Sequence, residues 1–208
     1  MEKLAIPRKA VYRLSLYLRC LQKLRNNEVE TVSSEALAKA VGVKPTQLRK
    51  DLGYVGQFGT RGLGYSVETL FEAIHGVMGR TSLQPVVLVG VGNLGSALLS
   101  YGGFRKEGFE IIAAFDKAPD EVKKRAARSG VPINDSRDLV KYIRNYQVKM
   151  AILTVPENAA QEVANVIVEA GVQAILNFSP AVLQVPDEVV INHVNLAVEL
   201  ESLSYFVD

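Results

Sequence analysis

A glycine-rich turn between an apolar run and a helical pattern constrains the fold of this chain most. Residues 86–89 (VVLV) predict a strand, and residues 96–99 (SALL) continue as a helix. Between them lie the six turn residues Gly90, Val91, Gly92, Asn93, Leu94 and Gly95. In a strand–turn–helix unit, three such glycines permit a tight turn, close approach of a pyrophosphate and close packing of helix on strand. The second half of the chain is therefore predicted to bind a dinucleotide.

An acidic residue at the end of the next predicted strand supports this interpretation. Residues 110–115 (EIIAAF) lead to Asp116, which follows Gly95 by 21 positions. A carboxylate at this place bonds the ribose hydroxyls and repels a 2′-phosphate. NADH and NAD+ are therefore the expected ligands, although the adjacent Lys117 acts against the discrimination.

Strands and helices go on alternating towards the C-terminus. Strands are predicted at residues 150–155 and 173–178, and helices at 136–146 and 159–170. This alternation is typical of an α/β, doubly wound parallel sheet, the Rossmann architecture. Its ligands bind beyond the carboxyl ends of the strands. We therefore expect the cofactor to face the strand-end residues Thr154, Val155, Pro156, Asn177 and Phe178.

The first part of the chain has helical periodicity instead. Apolar residues recur every three or four positions over residues 7–25. Ser33 is predicted to cap a second helix, and Pro45 to open a third that runs to about residue 53. Three helices with a tight turn between the last two match the helix-turn-helix, whose third helix lies in the DNA major groove.

The third helix has two distinct faces. Leu48 and Leu52 lie four positions apart and are predicted to point into the core. The outward set is then Thr46, Gln47, Arg49 and Lys50. Gln can bond adenine, and Arg or Lys can bond guanine. The alternative is that these polar side chains only solvate an exposed helix.

A glycine-rich segment and the charge distribution favour DNA. Residues 57–65 (QFGTRGLGY) predict a β-hairpin wing with Arg61 at its tip, where it can enter the minor groove. A fourth helix at residues 67–78 and a linker at 79–84 follow. Residues 1–80 hold 13 Lys and Arg against 7 Asp and Glu, net +6, whereas residues 81–208 hold 11 against 15, net −4. The basic charge thus lies in the segment predicted to meet a polyanion.

The last predicted helix, residues 194–206, has an apolar stripe wider than one supporting surface needs. We expect it to meet another subunit, and a dimer suits a DNA site with two symmetric halves. The predicted domains are residues 1–80 (winged helix), 81–192 (Rossmann) and 193–208 (dimerisation helix).

Several function classes are disfavoured by composition. The chain has one cysteine, Cys20, and two histidines, His75 and His193, which provide neither a disulfide nor a credible zinc site. It lacks a secretory signal pattern and an apolar run of roughly 20 residues, so we expect a cytoplasmic protein without membrane contact. Neither histidine stands in a motif with a carboxylate, and no substrate domain is left over. The nucleotide is therefore expected to be a ligand rather than a reagent, with no catalytic residue and no metal.

Five segments in order resemble the Rex family of redox-sensing transcriptional repressors. They are LRKDLGYVGQFGTRGLGY (48–65), VVLVGVGNLGSAL (86–98), LTVP (153–156), LNFSPAVLQVP (176–186) and NLAVELESLSYF (195–206). The resemblance implies a homodimer that binds an inverted-repeat operator and leaves it when NADH binds. It also implies a C-terminal helix exchanged between the two subunits.

Matching positions imply individual roles. The NAD site matches at Gly90, Gly92, Gly95 and Asp116, and the DNA surface matches at Arg49, Lys50 and Arg61. Arg19 and Tyr101 match residues that alternate as partners of a carboxylate, whose position here holds Asn195. The resemblance places Leu196 at the partner's nicotinamide pocket.

The predicted sites are summarised as two sets, with Arg19, Tyr101 and Asn195 as the switch. The nucleotide set consists of residues 90–95, Tyr101, Asp116, Lys117, residues 154–156, Asn177, Phe178 and Leu196. The DNA set consists of Arg8, Lys44, Thr46, Gln47, Arg49, Lys50, Tyr54 and Arg61. Two alternatives stay open: a small NAD-dependent reductase, and a nucleotide- or CoA-binding module that is indifferent to nicotinamide oxidation state.

Overall fold

The chain folds into two compact units, Met1–Thr81 and Ser82–Asp208. The computed structural model describes residues 6–59, 63–79, 83–126 and 129–207. Each unit has a hydrophobic core of its own.

The described residues of the first unit form four helices and a two-stranded sheet. Its elements in chain order are α1 (Arg8–Asn26), β1 (Thr31–Val32), α2 (Ser34–Ala40), α3 (Pro45–Leu52), β2 (Tyr65–Ser66) and α4 (Val67–Met78). The predicted start signals act as expected, because Ser33 caps α2 by accepting from the amide of Ala36 and Pro45 is the first residue of α3. Leu14, Leu37 and Leu48, one from each of the first three helices, are fully buried in a common core.

The small sheet differs from the predicted hairpin. Tyr65–Ser66 pairs antiparallel with Thr31–Val32, not with residues 57–59, which form no strand. The pairing follows from burial, because it places Val32 and Tyr65 side by side in the helical core. The predicted tip, Arg61, lies outside the described residues.

The second unit alternates strands and helices. Its elements run β3 (Gln84–Val89), α5 (Asn93–Leu99), α6 (Gly103–Lys106), β4 (Phe109–Asp116), α7 (Pro119–Ala126), β5 (Ile133–Asp135), a 3-10 turn (Ser136–Asp138), α8 (Leu139–Asn145), β6 (Met150–Leu153), α9 (Glu157–Glu169), β7 (Ala174–Asn177), β8 (Val190–His193) and α10 (Leu196–Ser204).

Its six described strands form one sheet in the order β5-β4-β3-β6-β7-β8, and every neighbouring pair is parallel. The order reverses between β3 and β6. This is the switch point of a doubly wound sheet, at which ligands bind beyond the strand ends. The glycine turn after β3 lies there, so the topology places the predicted nucleotide turn where the fold forms a crevice.

Two strands of this sheet have no clear sequence signal. Ile133–Asp135 is three residues long, and Val190–His193 ends in polar residues. Both lie at the edges of the sheet, where burial on both faces is not needed and the apolar pattern is weak. Val190–His193 also crosses the predicted domain limit at residue 192.

One buried carboxylate joins α1 to α3 in the first unit. Asp51 on α3 is fully buried and accepts from Nε and Nη2 of Arg13 on α1, at 2.6 and 2.7 Å. The hydroxyl of Tyr17 on α1 donates to it at 2.8 Å, and Nε2 of Gln47 on α3 at 2.9 Å. Burial would raise the pKa of Asp51, but these hydrogen bonds outweigh it and hold the pKa below its usual value. The network fixes which side of α3 faces the core.

Asp51→Asn should destabilise the first unit by about 3 kcal/mol, because it removes the charge that compensates Arg13 and leaves Tyr17 with a poorer acceptor. Hydrogen exchange of the α1 and α3 amides in the full chain measures this change. Lower pH acts on the same group. Since folding depresses the pKa of Asp51, its contribution is present above the unfolded pKa of about 4 and is lost as pH falls through the folded pKa.

Glu35→Gln is the matched control. Glu35 also faces an arginine, but its contact with Arg49 is 3.9 Å long and exposed. Exposed pairs contribute little, so exchange should stay as in the wild type. Equal exchange in the Asp51 variant and this control would contradict the structural role given to Asp51.

Candidate nucleotide site and DNA interface

The glycine turn after β3 owes its shape to two crowded positions. Gly90 has φ +96°, which favours glycine, and a Cβ there would lie 2.8 Å from the backbone of Thr154. A Cβ on Gly95 would collide with the carbonyl oxygen of Gly90. Both glycines are buried, so they serve the packing of α5 against β3 and β6.

Gly92, in contrast to Gly90 and Gly95, is not crowded by the protein. It is exposed at the start of α5, and a Cβ there would meet no protein atom within 4 Å. Its φ of −70° and ψ of −161° are open to any residue. The protein itself does not need a glycine here, whereas a phosphate group approaching the backbone would. The turn thus fits a dinucleotide by an observation independent of the motif.

Asp116, at the end of β4, accepts a hydrogen bond from the backbone of the glycine turn. Its Oδ2 accepts from the amide of Val91 at 2.7 Å, and its Oδ1 accepts from the amide of Ala118 at 3.0 Å. A carboxylate has about four lone-pair sites, so both oxygens retain capacity for ribose hydroxyls. Asp116 therefore links the turn to the place where a ribose would lie.

Thr154, which follows β6, lies at the switch point of the sheet. Its hydroxyl donates to the carbonyl of Val89 at 3.2 Å and to that of Gly90. Val155 is half-buried in the core, and Pro156 is exposed at the start of α9. Residues 154–156 thus lie beside the glycine turn, and the hydroxyl of Thr154 joins the end of β6 to that turn.

The side chain of Asn177 binds the loop that follows β7. It is fully buried, and its Oδ1 accepts from the amide of Ser179 at 2.9 Å. Its Nδ2 donates to the carbonyl of Ala181 at 2.9 Å and lies 3.1 Å from Nδ1 of His193. The side chain is engaged in shaping the loop after β7. The place of Asn177 and Phe178 beside the cofactor stays a prediction, and Phe178 packs partly into the core.

The remaining nucleotide and switch residues lie on exposed parts of their units. Lys117 and Leu94 are exposed, and so is Tyr101, whose ring packs edge-on against Phe104. Leu196 opens α10 and is exposed.

The switch residues belong to different units. Asn195 caps α10, since its Oδ1 accepts from the amides of Ala197 and Val198 at 3.1 and 3.3 Å. Arg19 lies on the exposed side of α1 in the first unit. The alternating contact among Arg19, Tyr101 and Asn195 stays a prediction.

The exposed face of α3 carries three of the four residues predicted to read bases: Thr46, Arg49 and Lys50. Gln47, predicted to point largely outward, is half-buried, and its amide donates to Asp51. Arg49 is oriented by α2, because its Nη1 donates to the hydroxyl of Ser34 at 3.1 Å.

The other described residues of the predicted DNA set lie outside α3. Arg8 begins α1, Lys44 precedes α3, and both are exposed, while Tyr54 follows α3 and is half-buried. A groove between α3 and the following loop is lined by Arg49, Phe58 and Tyr65 among others.

Sequence reasoning missed Asp51, Arg13, Tyr17 and Ser34. Arg13 and Tyr17 are four residues apart and so lie on one side of α1, which was the available sign of a shared partner. Asp51, an acidic residue within a basic helix, gave no sign in the sequence that it is buried. Within the described ranges, no three His, Cys, Asp or Glu residues gather as a metal site, and no helix is long and apolar enough to cross a membrane.

Comparison with known proteins covers both units. Residues 5–53 match the family described as "Putative DNA-binding protein N-terminus", and residues 81–181 match the CoA binding domain. A redox-sensing transcriptional repressor Rex of Syntrophobacter fumaroxidans is 43% identical over 99% of this chain and 97% of its own. The chain belongs to the Rex family. Another Rex, from Streptomyces coelicolor, is 46% identical over 96% of this chain and 77% of its own.

Solved Rex structures agree with this assignment. RSP, a Rex-family repressor, in complex with β-NAD+ and operator DNA has a TM-score of 0.87 to this chain at 34% identity, over 97% of this chain and 92% of RSP. RSP in complex with β-NADH has a TM-score of 0.82 at 31% identity, over 98% and 94%. The N-terminal DNA-binding part and the Rossmann-like part are thus both present here.

Gly92→Ala should leave the thermal unfolding midpoint unchanged, because a methyl group meets no protein atom there, and should weaken NADH binding about tenfold by filling space for the ligand. Titration of NADH fluorescence measures the affinity.

Gly90→Ala is the contrasting variant. Its positive φ and the nearby backbone of Thr154 should lower the unfolding midpoint itself. Unchanged NADH affinity in the Gly92 variant would contradict the placement of the nucleotide at this turn.

Proposed function

We propose that this chain is a redox-sensing transcriptional repressor that binds operator DNA and is released from it by NADH. The observation that carries the proposal is the presence of both ligand surfaces in one Rex chain: a glycine turn open at Gly92, and an exposed reading face on α3. RSP, which is similar along nearly its whole length, has been solved with NAD+ and operator DNA together and with NADH.

On the nucleotide side, the backbone around Gly92 would hold the pyrophosphate and Asp116 would hold a ribose. NADH and NAD+ differ at the nicotinamide, which is neutral in NADH and cationic in NAD+. A dry apolar pocket favours the neutral ring, because burying an unpaired charge is costly. Leu196, exposed at the start of α10, is the apolar side chain we assign to closing the partner's pocket.

On the DNA side, α3 would lie in the major groove with Arg49 and Lys50 reaching base edges or phosphates. The contact with Ser34 fixes one nitrogen of Arg49 and leaves the rest of its fork for a guanine. Two copies of this unit, related by a dyad, would read an inverted repeat. A protein that binds operator DNA would act in the bacterial cytoplasm.

The dimer would be formed through α10. None of its residues is buried, and its apolar side chains Leu196, Val198, Leu200 and Leu203 are all more than half exposed. An apolar helix left uncovered in this way is typical of an element that packs on another subunit. We propose that the two subunits exchange it.

The two binding events would be coupled by linkage. If NADH favours a dimer whose α3 helices no longer match successive major grooves, each ligand weakens the other by the same factor. A hundredfold loss of DNA affinity needs about 2.7 kcal/mol of differential binding.

We propose further that the nucleotide is a ligand and not a reagent. The relatives are named as repressors. His75 stacks on Phe71, and Nδ1 of His193 lies 3.1 Å from Nδ2 of Asn177. The match of residues 81–181 to a CoA binding domain favours a second candidate, a nucleotide module that ignores oxidation state.

NADH should release the protein from a labelled inverted-repeat duplex at concentrations at which NAD+ has little effect. Fluorescence anisotropy at one stated salt concentration measures this release, with a scrambled duplex of equal length as control. Equal responses to NADH and NAD+ would overturn the redox-sensing proposal in favour of the second candidate.

Joint replacement of Leu200 and Leu203 by Glu should convert the dimer to monomers, because charges at these positions would be buried on association. Sedimentation velocity reports the mass. Glu201→Gln, on the same helix, is the control and should stay dimeric, whereas a dimeric double variant would contradict the role of α10.

A further inference from the structure

A second carboxylate lies next to Asp116 at the edge of the sheet. Strands β4 and β5 are parallel, and their register pairs Asp116 with Asp135, the last residue of each strand. Neighbouring strands lie about 4.8 Å apart. The edge assigned to the ribose therefore presents two acidic residues side by side.

Asp135 holds an arginine in a two-pronged contact. Nε of Arg137 donates to Oδ1 at 2.9 Å, Nη2 donates to Oδ2 at 2.7 Å, and the backbone amide of Arg137 donates to Oδ1 at 2.8 Å. These hydrogen bonds lower the pKa of Asp135 to about 2, so it is anionic at neutral pH. The guanidinium is otherwise exposed, with 88% of its side-chain surface accessible, yet its fork is occupied by Asp135.

This arrangement bears on which dinucleotide the site accepts. A phosphate on the ribose 2′-hydroxyl adds close to two negative charges, and dinucleotide sites that accept it use an arginine near the ribose. Here Arg137 follows β5 by two residues but is clamped by a carboxylate of the same edge.

We propose that Asp135, by clamping Arg137, acts with Asp116 to exclude NADPH and NADP+ from the site. This proposal rests on the proposed binding of NADH. Asp116 repels the 2′-phosphate directly. Asp135 and Arg137 neutralise each other, so the clamp withholds the cation that would neutralise the phosphate. A sensor built this way responds to the NADH pool and ignores the NADPH pool.

Asp135 also has a structural role that the test must separate from its charge. It caps the 3-10 turn Ser136–Asp138 by accepting from the amide of Arg137. Asp135→Asn keeps an oxygen in this place and removes the charge. It therefore frees the guanidinium while preserving the cap.

The test is a titration of the full-length protein with NADH and with NADPH, following dihydronicotinamide fluorescence, for the wild type, Asp135→Asn, Arg137→Gln and the double variant. Asp135→Asn should lower the ratio of the NADPH to the NADH dissociation constant about tenfold. Adding Arg137→Gln should remove most of that gain. The gain should shrink between low and high salt, as charge effects do.

Glu110→Gln is the matched control. Glu110 also pairs with an arginine, Arg105, and it lies six residues before Asp116, about 20 Å away along the same strand. The ratio of the NADPH to the NADH dissociation constant in this variant should equal that of the wild type.

An unchanged ratio in Asp135→Asn would overturn the proposal, as would a gain that Arg137→Gln does not reduce. Failure of the wild type to bind NADH at all is a different result, which would overturn the proposed function and this specificity with it.

Discussion

The position of a reading helix in this protein depends on one buried carboxylate. Asp51 accepts from Arg13, Tyr17 and Gln47, and so fixes the rotation of α3 against α1. That rotation decides that Arg49 and Lys50 face outward and Gln47 does not. A carboxylate also positions a neighbouring segment in the second unit, because Asp116 accepts from the amide of Val91 in the glycine turn. In each unit a carboxylate that looks like surface charge in the sequence holds the structure that carries the proposed binding surface.

The sequence predicted the elements whose signal is local. Helix caps, the strand–turn–helix around residues 90–95 and the parallel sheet were all recoverable, because spacing and residue type determine them. Contacts between distant segments were not. The pairing of Tyr65–Ser66 with Thr31–Val32 and the inward position of Gln47 depend on packing that periodicity does not encode. The hydrogen bonds of Asn177 to its own loop were missed for the same reason, since a polar residue at a strand end looks the same in the sequence whether it binds a ligand or a loop.

The two surfaces make opposite demands on charge. The proposed DNA face needs exposed cations, and the first unit carries the net positive charge. The proposed nucleotide edge carries Asp116 and Asp135 and lies in the acidic unit. Keeping them on separate units lets each be tuned alone. Communication between them then has to come from a change in the dimer, because the ligands share no residue in the proposed scheme.

The reciprocal effect tests this account most directly. The dissociation constant of NADH is measured with and without saturating operator duplex, at the same salt. Linkage requires that operator weaken NADH binding by the same factor by which NADH weakens operator binding. Equal NADH affinity in the two titrations would contradict the claim that nucleotide and DNA select different states of one protein.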